Sequence, residues 1–380
     1  MSGLPSIYFR TDGNTEIATG HIMRCLTIAR ACAKQNANVA FIVSDEESLA
    51  LLQERFDVSN EFAVYCLQSD YRRMHEELPV LIDWLDAQTG CKGAVSGAGL
   101  NKPWLFVDSY FVTPAYFATL GAHYPVAYLD DLRSFSYNVD LVINYDTETD
   151  SPYYTNAKRK LLGPRYTPLR EQFMQPVYTV RPSVQNILLS TGGTDPNGIA
   201  ECLLHKIFDT PDESCRPLRT YDYHIVTSKS NSRYHTLLSM AATNTHIPIH
   251  TGVSDIASLM ASCDLAVSAG GTTLCELCAV GVPTVSYLMA ENQRTAVETF
   301  AREGLIPFAG DIRSIKSSYK ETDSTTEEFP ALNRSAIAGI LSFLTQLSDS
   351  IDMRKKSSRS MRAFLDGRGA VRIAEAMLKP

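Results

Sequence analysis

Short apolar runs alternate with amphipathic segments along the first half of the chain. The runs predict strands, in chain order, at Ile7–Phe9, Val39–Val43, Val64–Leu67, Trp104–Val107, Val126–Leu129 and Leu141–Ile143. Between several of these runs, apolar positions recur every three or four residues, which indicates helices. The helices are predicted at about His21–Lys34, Glu46–Arg55 and Arg72–Ala87. Strands that alternate with helices predict βαβ units and a parallel sheet.

The same pattern restarts after residue 182. Strands are predicted at Asn186–Ser190, Tyr223–Val226, Ile247–His250, Leu265–Ser268 and Pro283–Tyr287. Helices are predicted at about Gly198–Phe208, through Leu238 after a polar loop, at Ile256–Ser262 and Thr272–Val280, and over the tail from Ser335. The second half therefore predicts another doubly wound α/β domain.

A proline-rich segment without hydrophobic periodicity separates the two halves. It contains Pro164, Pro168, Pro176 and Pro182, a pattern typical of an interdomain crossing. We therefore predict an α/β protein with two Rossmann-like lobes and a cleft between them. The predicted segments are an N-terminal lobe at 1–165, a linker at 166–182, a second lobe at 183–355 and a C-terminal helix at 356–380. That last helix can pack back on the first lobe.

Composition supports a globular protein and argues against several function classes. The 380 residues are 44% hydrophobic and 20% charged, with a net charge of −7. An acidic balance argues against nucleic-acid binding. The start of the chain has no basic segment followed by a long apolar one, and no run of 18 apolar residues occurs. We expect a cytoplasmic monomer without membrane contact, in which nine cysteines stay reduced.

Two pairs of metal-binding or redox residue types lack the expected context. Cys275 and Cys278 have C-x-x-C spacing, but they lie within a helical pattern without a second ligand pair, which favours packing. His246 and His250 flank Pro248, which argues against a helical metal site. We expect neither a metal nor a cofactor. The acidic segment Lys320–Phe329 is predicted to be a surface loop.

A glycine-histidine pair occurs where the first strand leads into the first helix, in the segment Thr19–Cys25. Amide groups at a helix start attract anions, and glycine lets a ligand approach the backbone. His21 can act there as an acid or a base, because imidazole exchanges protons near neutral pH. A capping or core histidine is the alternative.

Two glycine loops in the second half also connect a strand to a helix. One is Ser190–Asp195 and the other is Ser268–Glu276. Each can place backbone amides around phosphate groups, although a simple turn is the alternative. In the second loop, Thr272 and Thr273 add hydroxyl groups, and Glu276 could accept hydrogen bonds from ribose.

Polar side chains also follow other predicted strands. The cluster Ala290–Gln293 could orient sugar hydroxyl or N-acetyl groups, or cap a helix. Asp108, Asp130 and Asp131 each follow an apolar run. Carboxylates in such positions serve as catalytic acids and bases, or as caps and turn residues. Both interpretations stay open from the sequence.

Several of these segments are similar in order and content to a known family. They read RTDGNTEIATGHIMRCLTIARA, LLGPRYTPLREQF, LLSTGGTDPNG and CDLAVSAGGTTLCELCAVGVPTVSYLMAENQ, with a weaker match in DGRGAVRIAEAM near the end. Together they resemble the UDP-sugar hydrolases of pseudaminic acid biosynthesis, the PseG/SpsG-like family, over roughly residues 7 to 300. Relatives of that family act in spore-coat polysaccharide synthesis, and its fold is similar to the MurG-like GT-B glycosyltransferases. Ala18 departs from the family, which commonly has glycine there.

The resemblance implies a reaction and a set of site residues. The reaction is metal-independent, inverting hydrolysis of UDP-2,4-diacetamido-2,4,6-trideoxy-β-L-altropyranose to free sugar and UDP. His21 would activate water, and Asn292, Asp12 and Tyr110 would assist. The substrate-binding residues would be Gly20, Arg24, Gly192, Gly193, Asp195, Gly270, Gly271, Thr272, Thr273, Glu276 and Gln293. The competing hypotheses are a GT-B glycosyltransferase with a UDP-sugar donor and a nucleotide-sugar-binding protein without catalysis.

Overall fold

The chain folds into two compact α/β units, each with its own parallel sheet. A computed structural model describes residues 4–89, 102–147, 152–175, 178–313 and 332–379. Unit 1 comprises Met1–Arg170 and Arg368–Pro380, and unit 2 comprises Glu171–Gly367. The predicted loop Lys320–Phe329 lies outside the described residues.

Unit 1 contains a seven-stranded sheet of order β3-β2-β1-β4-β5-β6-β7 in which all pairs are parallel. Its strands are β1 (Ser6–Thr11), β2 (Asn38–Val43), β3 (Ala63–Cys66), β4 (Trp104–Asp108), β5 (Val126–Leu129), β6 (Leu141–Asn144) and β7 (Arg159–Leu162). Its first four helices are α1 (Gly20–Ala33), α2 (Glu46–Ala50), α3 (Met74–Thr89) and α4 (Pro114–His123). A π-helical turn, Leu51–Arg55, continues α2 and completes the predicted helix there.

Alternating side chains on these strands bury both faces of the sheet. Phe9 and Phe41 belong to one buried cluster, and Ile42 and Val107 belong to the other. Strands covered on both faces appear in sequence as near-continuous apolar runs, which is why the sequence reveals them. Helix α4 is absent from the sequence prediction, although Thr113 caps its first turn and Pro114 occupies its first position.

Unit 2 contains a six-stranded parallel sheet of order β10-β9-β8-β11-β12-β13. Its strands are β8 (Asn186–Ser190), β9 (Asp222–Val226), β10 (Ile249–His250), β11 (Leu265–Ala269), β12 (Thr284–Leu288) and β13 (Phe308–Asp311). Its helices are α5 (Ile199–Phe208), α6 (Tyr234–Thr243), α7 (Ile256–Ser262), α8 (Thr272–Val280), α9 (Arg294–Arg302), α10 (Arg334–Asp349) and α11 (Ile351–Phe364). The sequence prediction lacks β7, β13 and α9, which are short or carry few apolar residues.

The last helix, α12 (Gly369–Leu378), belongs to unit 1 and packs on α1. The chain passes from unit 1 to unit 2 between Arg170 and Glu171, within the proline-rich segment, and returns after Gly367. The predicted boundary at 355 lies before this return. Helix α11 stays in unit 2, where the Ser357 hydroxyl donates to the Leu305 carbonyl.

Candidate functional site

The predicted site residues lie at the carboxyl ends of neighbouring strands in each unit. The strand order changes direction between β1 and β4 in unit 1, and between β8 and β11 in unit 2. At such a switch point the connections leave on opposite sides, which opens a crevice where ligands bind. In unit 1, His21 follows β1 and Asp108 ends β4. In unit 2, the two glycine loops follow β8 and β11.

His21 forms a buried pair with Asp108. The His21 Nδ1 atom lies 2.6 Å from Asp108 Oδ1, and the two side chains are 5% and 0% exposed. Burial alone would raise the pKa of Asp108, but the guanidinium of Arg24 and the contact with His21 lower it to about 2. The carboxylate is therefore charged and accepts the hydrogen bond. The Arg24 Nη2 atom also lies near His21 Nδ1, at 3.1 Å. Because the contact with the charged carboxylate is the shorter one, at 2.6 Å, we infer that Nδ1 carries the proton and that Nε2 is the basic atom.

Arg24 lies one turn after His21 on the same face of α1 and binds the same carboxylate. Its Nε and Nη2 atoms each donate to Asp108 at 2.6 Å, while Nη1 donates to Asp131 at 2.7 Å and to the Tyr145 hydroxyl at 2.9 Å. Arg24 thus holds the charged side chains together, and its predicted contact with substrate stays a prediction. Nothing in the sequence pattern singles out Tyr145, although it directly follows β6.

Tyr110 covers one edge of the His21 ring. The ring centroids are 4.4 Å apart with an interplanar angle of 76°, and the Tyr110 hydroxyl donates to Asp131 at 3.2 Å. Tyr110 is 42% exposed, so a ligand can reach it. Gly20, the first residue of α1, is exposed, and a Cβ there would meet nothing within 4 Å. The structure therefore brings these predicted residues together around His21.

Asp12 lies in the interior of unit 1, 2% exposed. Its Oδ2 accepts from Arg10 at 2.5 Å, and its Oδ1 accepts from the Ser44 amide at 2.7 Å and hydroxyl at 2.8 Å. Arg10 also forms a two-pronged pair with Glu77 at 2.8 Å. These contacts join the ends of β1, β2 and α3 and indicate a structural role for Asp12, whose predicted part in catalysis stays a prediction.

Asp130 shapes the turn after β5. Its carboxylate accepts from the Leu132 and Arg133 amides, and from the hydroxyls of Tyr137 and Tyr154 at 2.8 and 2.6 Å. These bonds occupy both oxygens of a side chain that is 1% exposed. The observed contacts of Asp130 are therefore those of a turn residue, which is the alternative to a catalytic acid or base.

The first glycine loop of unit 2 is capped from within. Asp195 accepts from the amides of Ile199 at 3.0 Å and Ala200 at 2.9 Å, and the Asp195 carboxylate is buried. The Gly193 carbonyl accepts from the Ser228 amide and hydroxyl at 3.0 and 2.8 Å. The predicted anion site at the start of α5 is thus filled by a carboxylate of the protein itself, which explains the role of Asp195 in this turn.

The second glycine loop leaves the start of α8 without a side-chain cap in the described part of the chain. Gly271 is the N-cap residue, and the half-buried Thr273 and exposed Thr272 open the helix. A Cβ on Gly270 would lie 1.8 Å from Val297 Cγ2, so only glycine fits against α9 there. Uncapped amides at a helix start are a favourable place for an anion.

The polar turn Glu291–Gln293 packs beside this second loop. A Cβ on Gly271 would lie 3.7 Å from Gln293 Nε2, and Gln293 Oε1 accepts from the Met289 amide at 3.2 Å. Met289 in turn lies 3.9 Å from the Cβ position of Gly192, which has a φ of 91°. Asn292 is exposed. Three segments that the sequence marks separately, the two glycine loops and the polar cluster, therefore meet at one edge of the sheet.

Two further candidate residues, Glu276 and Cys278, lie on α8. Glu276 is half-buried on α8, one turn after Thr272. Cys278 is fully buried, and burial raises the pKa of its thiol, as packing predicts. Within residues 4–89, 102–147, 152–175, 178–313 and 332–379, no three His, Cys, Asp or Glu side chains group as metal ligands. Those ranges also contain no helix long and apolar enough to cross a membrane.

Comparison with known proteins finds distant relatives by sequence, and no family model matches. The chain is 23% identical over 308 residues to an uncharacterised protein of Methanocaldococcus jannaschii, covering 77% of this chain and 57% of that protein. It is 27% identical over 176 residues to the spore coat polysaccharide biosynthesis protein SpsG of Bacillus subtilis, covering 45% and 50%. The chain spans about half the length of the curated relatives that it matches.

Solved structures match the whole chain. The Acinetobacter baumannii MurG structure has a TM-score of 0.61 at 11% identity and covers 99% of this chain and 100% of its own. The UDP-GlcNAc 2-epimerase of Neisseria meningitidis, bound to UDP-GlcNAc, has a TM-score of 0.60 at 11% identity, with 100% of both chains covered. At such identities the likeness establishes the fold alone. The two parallel-sheet units described above therefore have the GT-B fold that these enzymes share.

Proposed function

We propose that the protein hydrolyses a UDP-linked sugar to free sugar and UDP without a metal, with His21 as the base that activates water. The observation that carries this proposal is the buried pair between His21 Nδ1 and a charged Asp108, at 2.6 Å. A carboxylate in that position holds the imidazole in one tautomer and stabilises the imidazolium that forms. Nε2 is then the atom that takes a proton.

The proposed step is a single displacement. The water oxygen bonds to the anomeric carbon, its proton passes to His21 Nε2, and the bond between that carbon and the β-phosphate oxygen breaks. The electron pair leaves with UDP, whose phosphate oxygens spread the charge. Attack opposite the leaving group inverts the anomeric centre. A good leaving group needs stabilisation more than it needs an acid.

We propose that the start of α8 in unit 2 binds the diphosphate of UDP. The uncapped amides there, with Thr272 and Thr273, provide donors for the diphosphate, and the helix dipole favours negative charge. Glu276 is proposed for the ribose, and Asn292 with Gln293 for the sugar. Because Asp195 caps the start of α5, the loop that contains Gly192, Gly193 and Asp195 is proposed to support this site. Met289 connects the two, since it lies 3.9 Å from the Cβ position of Gly192.

The comparisons support a nucleotide-sugar substrate. The matched epimerase was solved with UDP-GlcNAc, and SpsG is named for polysaccharide synthesis. The 2,4-diacetamido-2,4,6-trideoxy sugar is proposed from the resemblance of the motifs. A glycosyltransferase would use the same parts with an acceptor hydroxyl in place of water, so the test must separate the two.

The test is incubation of the purified protein with UDP-2,4-diacetamido-2,4,6-trideoxy-β-L-altropyranose in excess EDTA, followed by NMR. We expect free sugar and UDP in the absence of any acceptor. His21→Ala should abolish turnover, and Asp108→Asn should lower kcat about 10²- to 10⁴-fold, the range typical of a lost general base or its orienting partner. The surface variant Glu61→Ala, which breaks an exposed pair between α1 and the β2–β3 connection, should keep full activity.

Two results would contradict the proposal. Turnover that persists in His21→Ala would remove the base from the mechanism. An intact substrate that turns over only after an acceptor is added would establish a transferase instead.

A further inference from the structure

Five side chains around His21 form a closed ring of contacts in unit 1. His21 contacts Asp108, which binds Arg24, which binds Asp131; Tyr110 then donates to Asp131 and packs against His21. The four polar links measure 2.6, 2.6, 2.7 and 3.2 Å, and the aromatic link joins ring centroids 4.4 Å apart. Each of the five side chains thus contacts two others in the ring.

Exposure rises along the ring from Asp108 to Tyr110, and His21, which closes the ring, is again buried, with 5% of its side chain exposed. The Asp108 side chain is 0% exposed, Arg24 is 13% exposed and Asp131 is 27% exposed, while Tyr110 is 42% exposed. The inner members are held by the packing of β4 and α1. The outer members, Asp131 and Tyr110, sit on turns at the surface, so they depend on the contacts of the ring itself.

Asp131 is the hydrogen-bond partner of the Tyr110 hydroxyl in the described part of the chain. Partial burial and the Asp131 charge raise the pKa of Tyr110, so the phenol keeps its proton and donates it to Asp131. The phenolic oxygen retains its acceptor capacity toward a ligand. The hydrogen bond to Asp131 therefore restricts the orientation of the Tyr110 ring. It also sets the direction of the lone pair with which the phenolic oxygen can accept a hydrogen bond from a ligand.

Arg24 does not depend on Asp131 in the same way. Its Nε and Nη2 atoms bind Asp108, and its Nη1 atom also donates to Tyr145 at 2.9 Å. Removal of Asp131 therefore leaves the pair of His21 and Asp108 in place and releases Tyr110. This difference makes the effect of Asp131 separable from the effect of Asp108.

We propose that Asp131 is a positioning residue that holds Tyr110 against His21 in the reactive arrangement. This inference rests on the proposed hydrolysis. Asp131 touches neither the reacting atoms nor the base; it acts by restricting Tyr110, which borders the space beside the His21 ring. Restriction of a group beside the reaction centre raises kcat rather than affinity, because it reduces the fraction of unproductive arrangements.

The experiment is a double-mutant cycle on Asp131 and Tyr110 with hydrolysis as the readout. Asp131→Ala and Tyr110→Phe should each lower kcat about tenfold with KM changed less than about twofold, and the double variant should be no slower than the slower single variant. Asp131→Asn, whose amide oxygen still accepts, should fall between wild type and Asp131→Ala. Glu61→Ala is the matched control, because Glu61 also pairs with an α1 arginine, Arg30, at the surface.

A second readout does not depend on turnover. In the wild-type protein, the ring protons of Tyr110 and His21 should give a nuclear Overhauser effect, assigned by its loss in Tyr110→Leu and in His21→Ala. That effect should weaken in Asp131→Ala and persist in Glu61→Ala, while the nitrogen shifts of His21 keep the Nδ1-protonated form in both.

The outcomes separate the two proposals. If wild type is inactive, the hydrolase proposal fails, and the Overhauser effect alone decides whether Asp131 positions Tyr110. If wild type is active, additive losses in the double variant, or an unchanged Overhauser effect in Asp131→Ala, overturn the positioning role while leaving hydrolysis established.

Discussion

Asp108 shows how one buried residue can connect a catalytic candidate to the fold. It carries a charge on a side chain that is 0% exposed, and it accepts hydrogen bonds from His21 and from two nitrogen atoms of Arg24. A buried carboxylate is costly unless it is paired, and here the guanidinium fork provides that pairing. The orientation of His21 is therefore inseparable from the packing between α1 and β4.

Ala18 has a backbone conformation that suits glycine. Its φ is 59°, in the left-handed region, and the residue is exposed in the loop before α1. A Cβ costs about 1–2 kcal/mol there, whereas the added backbone freedom of glycine in the unfolded chain costs about 0.4–1 kcal/mol. The strain that the Cβ causes in the folded state is therefore larger than the entropic cost of glycine in the unfolded chain.

We therefore predict that Ala18→Gly raises the free energy of unfolding of unit 1 by about 0.5–1 kcal/mol, measured by urea denaturation. The control is Ala118→Gly, an exposed position inside α4, which should lower that free energy by about 1 kcal/mol. Destabilisation by both substitutions would contradict the strain assigned to Ala18.

At the scale of elements, the two glycine loops of unit 2 differ in what occupies their helix starts. The loop before α5 carries its own cap, Asp195, and the loop before α8 has no side-chain cap among the described residues. Their sequences look alike, with a strand, two glycines and a threonine. The difference lies in the carboxylate of Asp195 and in the approach of α9 to Gly270.

We predict that Gly270→Ala weakens UDP binding at least tenfold, measured by titration calorimetry. The new methyl group would meet Val297 at 1.8 Å, which forces the loop away from α9. Val297→Ala in the same chain should restore part of the affinity by making room. Gly193→Ala meets only Ser228, at 3.7 Å, and should change the Kd less than about twofold. Equal losses in both single variants would contradict the assignment of the diphosphate to α8.

The strands β9 and β10 carry a histidine pair that makes unit 2 sensitive to acid. His224 Nδ1 lies 2.9 Å from His250 Nε2, and His224 Nε2 lies 2.9 Å from Asn186 Oδ1. Burial lowers the pKa of both histidines, and the neighbouring His250 lowers that of His224 further. The folded state therefore binds fewer protons than the unfolded state between the lowered values and the ordinary value near 6.5.

The sign of the pH dependence follows. The contribution of this pair to stability is complete above the ordinary pKa of histidine and decreases as the pH falls below it. We predict that the loss of unfolding free energy between pH 7.5 and pH 5.0 is smaller in His250→Gln than in wild type. His75→Gln, at an exposed position on α3, should leave that loss unchanged. An identical decline in His250→Gln would rule out the pair as its source.

At the scale of the whole molecule, the two ends of the chain complete one unit. Helix α12 buries Ala370, Ile373, Ala374 and Met377 in the cluster beneath α1. A Cβ on Gly369 would lie 2.1 Å from the Thr167 carbonyl oxygen, so the chain enters this helix in close contact with unit 1. Unit 1 thus needs residues from both ends, whereas unit 2 is continuous from Glu171 to Gly367.

We predict that deletion of residues 368–380 destabilises unit 1 selectively. Burial of these four side chains is worth about 5 kcal/mol, which is comparable with the stability of a whole domain. Calorimetry should show an early transition for unit 1 and an unchanged one for unit 2, with UDP binding retained. The milder Ile373→Ala should cost about 2–5 kcal/mol. A single unchanged transition in the truncated protein would contradict this prediction.

The sequence by itself determined the architecture of each unit. Buried parallel strands are apolar throughout and short, so their pattern is local, and the structure confirms most of them within one or two residues. The missed elements are those with weak local patterns, such as β13 and α9. The residue types at strand ends also made His21 and both glycine loops candidates for the site, although the same residue types serve as caps and turn residues, as Asp195 and Asp130 do.

Only the tertiary structure decided how these side chains are paired. His21 and Asp108 are separated by 87 positions, and Arg24 and Asp131 by 107. Asp195 reads as a ligand residue in sequence but caps α5, and Asp12 turns into the interior to meet Arg10 and Ser44. Periodicity reports which face of an element is buried, but a hydrogen bond depends on which strand ends become neighbours. That order is set by packing of the whole sheet.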